Sequence, residues 1–168
     1  MFRRYIPFNM HKEGNMALYL VQHGKSLPKN LDPEKGLTEE GISEVQRIAE
    51  VAAGYGCKVG KICHSGKKRA QQTAEIFASH LKPENNVEEI KGINPLDDVA
   101  AFSRNLPVKD NIMLVGHLPF MERLISYLII GSIEPSVFKC QNGGIICLDI
   151  HPDTRKWIIK WALMPNIG

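Results

Sequence analysis

Apolar positions along the chain fall into two rhythms. Short runs predict strands over residues 17–21, 58–64, 87–90 and 111–115, the first of them apolar at every position. Between them the spacing is helical. Thr38 reads as an N-cap, with Glu39 and Glu40 in the first turn where the helix dipole favours acids. Ile42, Val45, Ala49 and Ala52 then fall on one face, and Gly54 and Gly56 end the segment. Ala70, Ala74, Phe77 and Leu81 repeat from Gly66 until Pro83. A short helix is expected over 97–106, and Pro119 opens another that runs to about residue 130. Residues 25–36, with Pro28, Asn30, Asp32, Pro33 and Gly36, read as a loop. Strands over 145–150 and 157–161 flank His151-Pro152-Asp153-Thr154, a hairpin signal. Trp157 and Trp161, four apart in a strand, are expected on one face, in the core.

Strands and helices that alternate predict an α/β chain: a three-layer α/β/α fold with a mainly parallel sheet and a C-terminal hairpin. No internal repeat or low-complexity tract interrupts it. In such folds ligands bind beyond the carboxyl ends of the strands.

The chain has 168 residues, 43% hydrophobic and 23% charged, which suits one domain with a core of its own. Residues 1–15 read as an extension ahead of a single domain over 16–168. Met10 and Met16 are both internal starts, so whether 1–15 are native stays open. The net charge is +3, of which Arg3, Arg4, Lys12 and Glu13 supply +2. The remainder is nearly neutral and gives no reason to expect nucleic acid. Cys57, Cys63, Cys140 and Cys147 form no CxxC pair and read as small buried residues in a reducing cytoplasm. No apolar run reaches the ~18–20 residues of a membrane span. The basic N-terminus lacks the apolar stretch of a signal peptide.

Chemistry gathers where the strands end. Gln22-His23-Gly24-Lys25 follows the first, His64-Ser65-Gly66-Lys67-Lys68-Arg69 the second, and Gly116-His117-Leu118-Pro119 the fourth. Three cations at a helix N-terminus oppose the dipole, at a cost of about a few tenths of a kcal/mol each. A bound anion reverses that penalty. Arg69 is assigned to the anion, and Lys67 and Lys68 to solvent. His64 reads as a strand end. His11, His80 and His151 carry no motif and are expected at the surface.

These segments resemble three motifs of the histidine phosphatase superfamily. Leu18-Tyr19-Leu20-Val21-Gln22-His23-Gly24 is similar to its first signature, usually Arg-His-Gly. Ser65 followed by Arg69-Ala70-Gln71-Gln72-Thr73 is similar to the second, and Val115-Gly116-His117-Leu118-Pro119 to the third. Length and spacing resemble the short SixA-type phosphohistidine phosphatases, from about Met16 to the C-terminus. The resemblance implies a phosphoglycerate mutase-like fold and phosphoryl transfer to His23, then to water, without metal or cofactor. It implies that His23 attacks phosphorus while Arg69 and His117 grip the phosphoryl oxygens, with Ser65 and Gly24 beside them. It also implies a cytoplasmic signalling enzyme. The partner would be a phosphorylated protein such as a histidine phosphotransfer domain, or else a small phosphorylated molecule.

The chain departs from the pattern twice. Gln22 stands where arginine is usual and offers a neutral amide instead of a charged fork. Lys25 and Lys35 are candidates to restore the charge. A phosphate-binding relative without turnover is the reading this departure allows. The second departure is the general acid. Larger members carry a glutamate in an insertion for which residues 83–97 are too short. Glu88, Glu89, Asp97 and Asp98 lie there without a motif match. Asp32 resembles an aspartate of SixA-type enzymes but equally fits a turn beside Pro33. A weak acid suits phosphohistidine, since imidazole leaves more easily than an alkoxide. A general phosphomonoesterase is the alternative.

Cys63 to Arg69 also satisfies the Cys-x5-Arg loop of cysteine-dependent phosphatases, with Cys63 as thiolate nucleophile. Against it, Ile62 precedes Cys63 where histidine is usual. The loop has one glycine, Gly66, and His23 and His117 stay unexplained.

Overall fold

A computed structural model describes residues 16–106 and 110–167. The expected extension over 1–15, with His11, lies outside the described residues. Ten elements follow in chain order: β1 (Leu18–Gln22), α1 (Glu39–Gly54), β2 (Lys61–His64), α2 (Lys68–Leu81), β3 (Val87–Glu89), α3 (Val99–Arg104), β4 (Ile112–Gly116), α4 (Phe120–Ile130), β5 (Ile145–Ile150) and β6 (Trp157–Leu163).

The strands form one sheet in the order β3-β2-β4-β1-β5-β6. The four on the β3 side run parallel, and β5 and β6 are antiparallel additions. The hairpin is therefore continuous with the sheet, docked on β1.

Period-two alternation sends successive β1 residues to opposite layers. Tyr19 and Val21 pack with Val45, Ile48, Ala49, Ala70, Ala74 and Phe77 of α1 and α2. Leu18 and Leu20 pack with Phe120, Met121, Leu124 and Ile125 of α4. Phe77 and Phe120 are each fully buried, worth about 1.5–3 kcal/mol apiece. The three-layer arrangement thus follows from apolar residues on both faces of the parallel strands. Among the described residues no helix is long and apolar enough to cross a membrane.

Several boundaries move. β2 begins at Lys61, because residues 58–60 bend so that the Gly60 amide donates to the Asn111 carbonyl. Thr38 does cap α1, accepting from the Gly41 amide, but Ile48 replaces Ile42 on its buried face. α3 is shorter than expected: Asp97 turns back to accept from the Asn94 amide, and Asp98 becomes the N-cap. The tryptophans require the largest correction. Cys147 pairs with Trp161 but Leu148 pairs with Ile159, so β6 carries an extra residue. That β-bulge inverts the alternation. Trp161 lies on the α1/α2 side, 5.8 Å from Tyr19 between ring centroids, while Trp157 packs on the α4 side. Both are half-buried rather than core.

Candidate active site

Parallel pairing brings the strand ends into line. Gln22 is in register with Gly116, and His64 with Val115. The segments that follow β1, β2 and β4 therefore meet at one edge of the sheet, and α2 presents its first turn there. The His23 amide donates to the Gly116 carbonyl at 3.0 Å, which holds the first and third segments together. Arg69 Nε donates to His23 Nε2 at 3.1 Å. The rings of His23 and His117 stand 5.0 Å apart, and His117 Nε2 is 2.6 Å from Ser65 Oγ. Two imidazoles, a guanidinium and a hydroxyl from three distant segments share one place.

The hydrogen bonds set the state of His23. Its Nδ1 is 2.7 Å from the Gly24 carbonyl, which can only accept, so Nδ1 carries the proton. Nε2 is left with its lone pair toward Arg69. Burial pushes the imidazole pKa down to about 4, and the charges of Arg69 and Lys35 push the same way. His117 is driven to about 3 by burial, then by His23, Arg69, Lys67 and Lys35. Both rings are neutral at pH 7. His117 is 2% exposed, and its Nδ1 is buried without a partner. Burial also pulls the Arg69 guanidinium below its usual value. α2 begins at Lys67 with no side-chain cap and no acid in its first turn, so its positive end is uncompensated. The arrangement favours a compact anion.

The other residues singled out by sequence divide. Lys35 sits at φ 56°, and its charge bears on both histidines. Lys25 is engaged elsewhere, 2.6 Å from Glu40 and 3.1 Å from Glu44. Gln22 Oε1 is buried with no partner, and the Gln22 carbonyl accepts from the Gly143 amide. At Gly24, a Cβ would stand 2.8 Å from Val45 Cγ2 and 3.1 Å from Leu37 Cδ2, so glycine is needed there for packing on α1. Asp32 accepts from the Gly36 and Glu34 amides and pairs with Lys68 at 3.1 Å, which hold its carboxyl below the usual carboxylate range. Asp32 thus has the turn role. Lys68, assigned to solvent, instead bridges Asp32 and Glu34. His64 ends β2, its Nδ1 accepting from the Gly66 amide. His80 and His151 are half-buried, and His151 Nδ1 caps the hairpin turn by accepting from the Asp153 and Thr154 amides.

Cys63 is a core residue of β2, 1% exposed, with its thiol at 3.8 Å from a Glu88 oxygen. Burial and the Glu88 charge raise its pKa to about 11. That is the reverse of an activated thiolate. Among the described residues no group of three His, Cys, Asp or Glu is placed to hold a metal ion.

Three residues without an assigned role brace the site. Thr73 Oγ1 accepts from the Gly24 amide at 3.0 Å and donates to the Arg69 carbonyl at 2.7 Å, tying the His23 turn to α2. Gln72 Oε1 accepts from the Leu37 amide. Asn142 Nδ2 donates to the His23 carbonyl at 2.8 Å. Gln72 and Thr73 were visible inside the second motif. Asn142 lies in Cys140-Gln141-Asn142-Gly143-Gly144, which reads as a turn, with passage near the pocket as the alternative its glycines allow.

Comparison with known proteins bears on the fold. SixA, a protein histidine phosphatase solved with tungstate, superposes with a TM-score of 0.76 at 21% identity, covering 89% of this chain and 97% of that one. The α-ribazole phosphatase of Shigella flexneri gives 0.71 at 18% identity, covering 90% and 98%. A phosphoserine phosphatase mutant from Entamoeba histolytica gives 0.65 at 16%, covering 89% and 98%. At these identities the likeness is one of fold. No curated protein matches the sequence significantly. Residues 18–94, which hold His23, Ser65 and Arg69, match the family model of the histidine phosphatase superfamily, branch 1. Over those residues the chain is similar to the histidine phosphatase superfamily, and its fold is that of the solved phosphatases named above.

Proposed function

We propose that the chain is a SixA-type phosphohistidine phosphatase in which His23 is the nucleophile. The observation that carries this reading is the state of His23: Nδ1 locked to the Gly24 carbonyl, Nε2 unprotonated and 3.1 Å from a guanidinium. Nε2 attacks phosphorus from the side opposite the leaving nitrogen. The substrate ring, protonated on its far nitrogen by water, departs as neutral imidazole: the P–N bond breaks and its electron pair stays on that nitrogen. Arg69 and His117 Nδ1 donate to the equatorial oxygens, where charge gathers in the transition state. For His117 to donate, its proton must be on Nδ1, with the Ser65 hydroxyl donating to Nε2. Water then attacks the phospho-His23 intermediate, the P–Nε2 bond breaks, and His23 regains its lone pair.

Two features support phosphohistidine as substrate. Asp32, bonded to two amides and Lys68, stays ionised and has no proton to give an alkoxide. Imidazole needs no positioned acid, because its far ring nitrogen can take a proton from water before the bond breaks. SixA, whose structure holds the tetrahedral oxyanion tungstate, shares the fold over almost its whole length. Lys35 supplies the charge that Gln22 lacks.

Trapping tests the reading. A phosphohistidine protein carrying labelled phosphate should leave acid-labile, alkali-stable label on the chain, and His23→Ala should abolish label and turnover together. Label that persists in His23→Ala, or that sits on Cys63, refutes it. Faster turnover of p-nitrophenyl phosphate than of phosphohistidine protein would favour a general phosphomonoesterase.

A further inference from the structure

A cavity of about 570 Å³ opens beside Ser65, the residue whose hydroxyl meets His117. Its wall includes Glu89, Lys91, Asp97, Asp98 and Phe102. Ser65 is the one residue shared by this cavity and the histidine site, and a group departing from phosphorus needs such a space. The unpartnered Nδ1 of His117, on a ring only 2% exposed, marks the adjoining phosphoryl position as one built for a ligand.

The charges divide in a definite way. Arg69, Lys35 and Lys67 act on the two histidines. The cavity carries three carboxylates against one lysine. Two of the three also order the wall: Asp97 accepts from the Asn94 amide, and Asp98 from the Ala101 amide. Glu89 is different. Within the described residues its carboxylate has no hydrogen bond and no ion pair, though its charge bears on His64. Its carboxylate carbon and one oxygen lie 2.5 Å from the point where a Cβ on Gly66 would stand. Gly66, at φ 82°, is thus doubly required: by its backbone and by the carboxylate that leans over it. That puts an unpaired carboxylate over the short loop between Ser65 and Arg69, where a phosphate-binding protein gains nothing from it. A carboxylate so placed repels the phosphoryl group and any anionic substituent, but attracts a cation on the far side of the P–N bond.

Resting on the phosphatase reading above, we propose that this cavity is the leaving-group subsite, and that Glu89, with Asp97 and Asp98, selects substrates whose phosphoryl group is attached to a positively charged carrier. The substrate class is then a phosphoramidate next to an ammonium, guanidinium or protonated ring. The site is bipolar, with cations at the phosphoryl end and carboxylates at the carrier end.

Three small substrates with the same P–N bond isolate the effect: N-phosphohistamine with an ammonium, N-phosphoimidazole with no added charge, and N-phosphoimidazole acetate with a carboxylate. The expected order of kcat/KM is histamine, imidazole, acetate, with about fivefold between steps at low salt, a size at the upper end for exposed charges. The spread should shrink in 0.5 M salt, where the screening length is about 4 Å. Glu89→Gln should compress the series, and Glu89→Lys should reverse it. Equal kcat/KM for the three substrates, or an order unchanged in Glu89→Lys, overturns the subsite. Label on His23 from all three at one rate would sink this inference and leave the phosphatase reading standing. Absence of both label and turnover from all three would sink the two together.

Discussion

Replacing Thr73 by valine removes one hydroxyl and nearly preserves the shape of a side chain that is fully buried. The hydroxyl accepts from the Gly24 amide at 3.0 Å and donates to the Arg69 carbonyl at 2.7 Å. The second loss is mild, because the Arg69 carbonyl keeps the i+4 amide of the helix. The first is not. A buried N–H left without an acceptor costs about 1–3 kcal/mol. Taking about 2 kcal/mol, and about 2–4 °C of Tm per kcal/mol for a chain of this size, Tm should fall by about 4–8 °C. Function should fall further than folding. The Gly24 carbonyl holds His23 Nδ1, so a reoriented Gly24 peptide unlocks the imidazole. A shift of about 1 Å at a reacting atom costs on the order of 100-fold in rate. The assay is the rate of His23 labelling by rapid quench at 20 °C, where the variant is folded, beside thermal denaturation. Thr73→Ser keeps both hydrogen bonds and loses a methyl worth about 1 kcal/mol, so it should label within about threefold of wild type. Wild-type labelling by Thr73→Val despite a lowered Tm would refute the argument. So would a Thr73→Ser variant as slow as Thr73→Val.

Three further outcomes follow from the electrostatics. With its pKa near 4 instead of 6.5, His23 is about nine-tenths neutral at pH 5, so labelling should hold within about twofold from pH 7 to 5 and fail only near pH 4. An acid limb centred near 6.5 would contradict it. The same shifts set the acid stability. Folded His23 and His117 stay neutral while the unfolded imidazoles take up protons below about 6.5, so the urea midpoint should decline as pH falls from about 6.5 through 4 toward 3. Gln22→Arg should keep or raise turnover and tighten orthophosphate inhibition, because a charge-assisted hydrogen bond is about twice as strong as a neutral one. A large loss of turnover would give Gln22 a role of its own.

Sequence by itself determined the element order and the parallel sheet, because buried runs and helical faces are local patterns. It also determined which segments form the candidate site: the motifs after β1, β2 and β4 converge because parallel strands deliver their carboxyl ends to one edge. Only the tertiary structure could decide what each side chain meets. Asp32 and Lys25 are chemically eligible for the site, but ion pairs with Lys68 of α2 and with Glu40 and Glu44 of α1 engage them, and sequence separation does not encode such pairing. The β6 bulge, which parts Trp157 from Trp161, arises from register with β5. The support of His23 by Asn142, 119 residues away, arises from β5 docking on β1. Which atom of His23 keeps its proton depends on a carbonyl 2.7 Å away and on burial, both properties of the packed molecule.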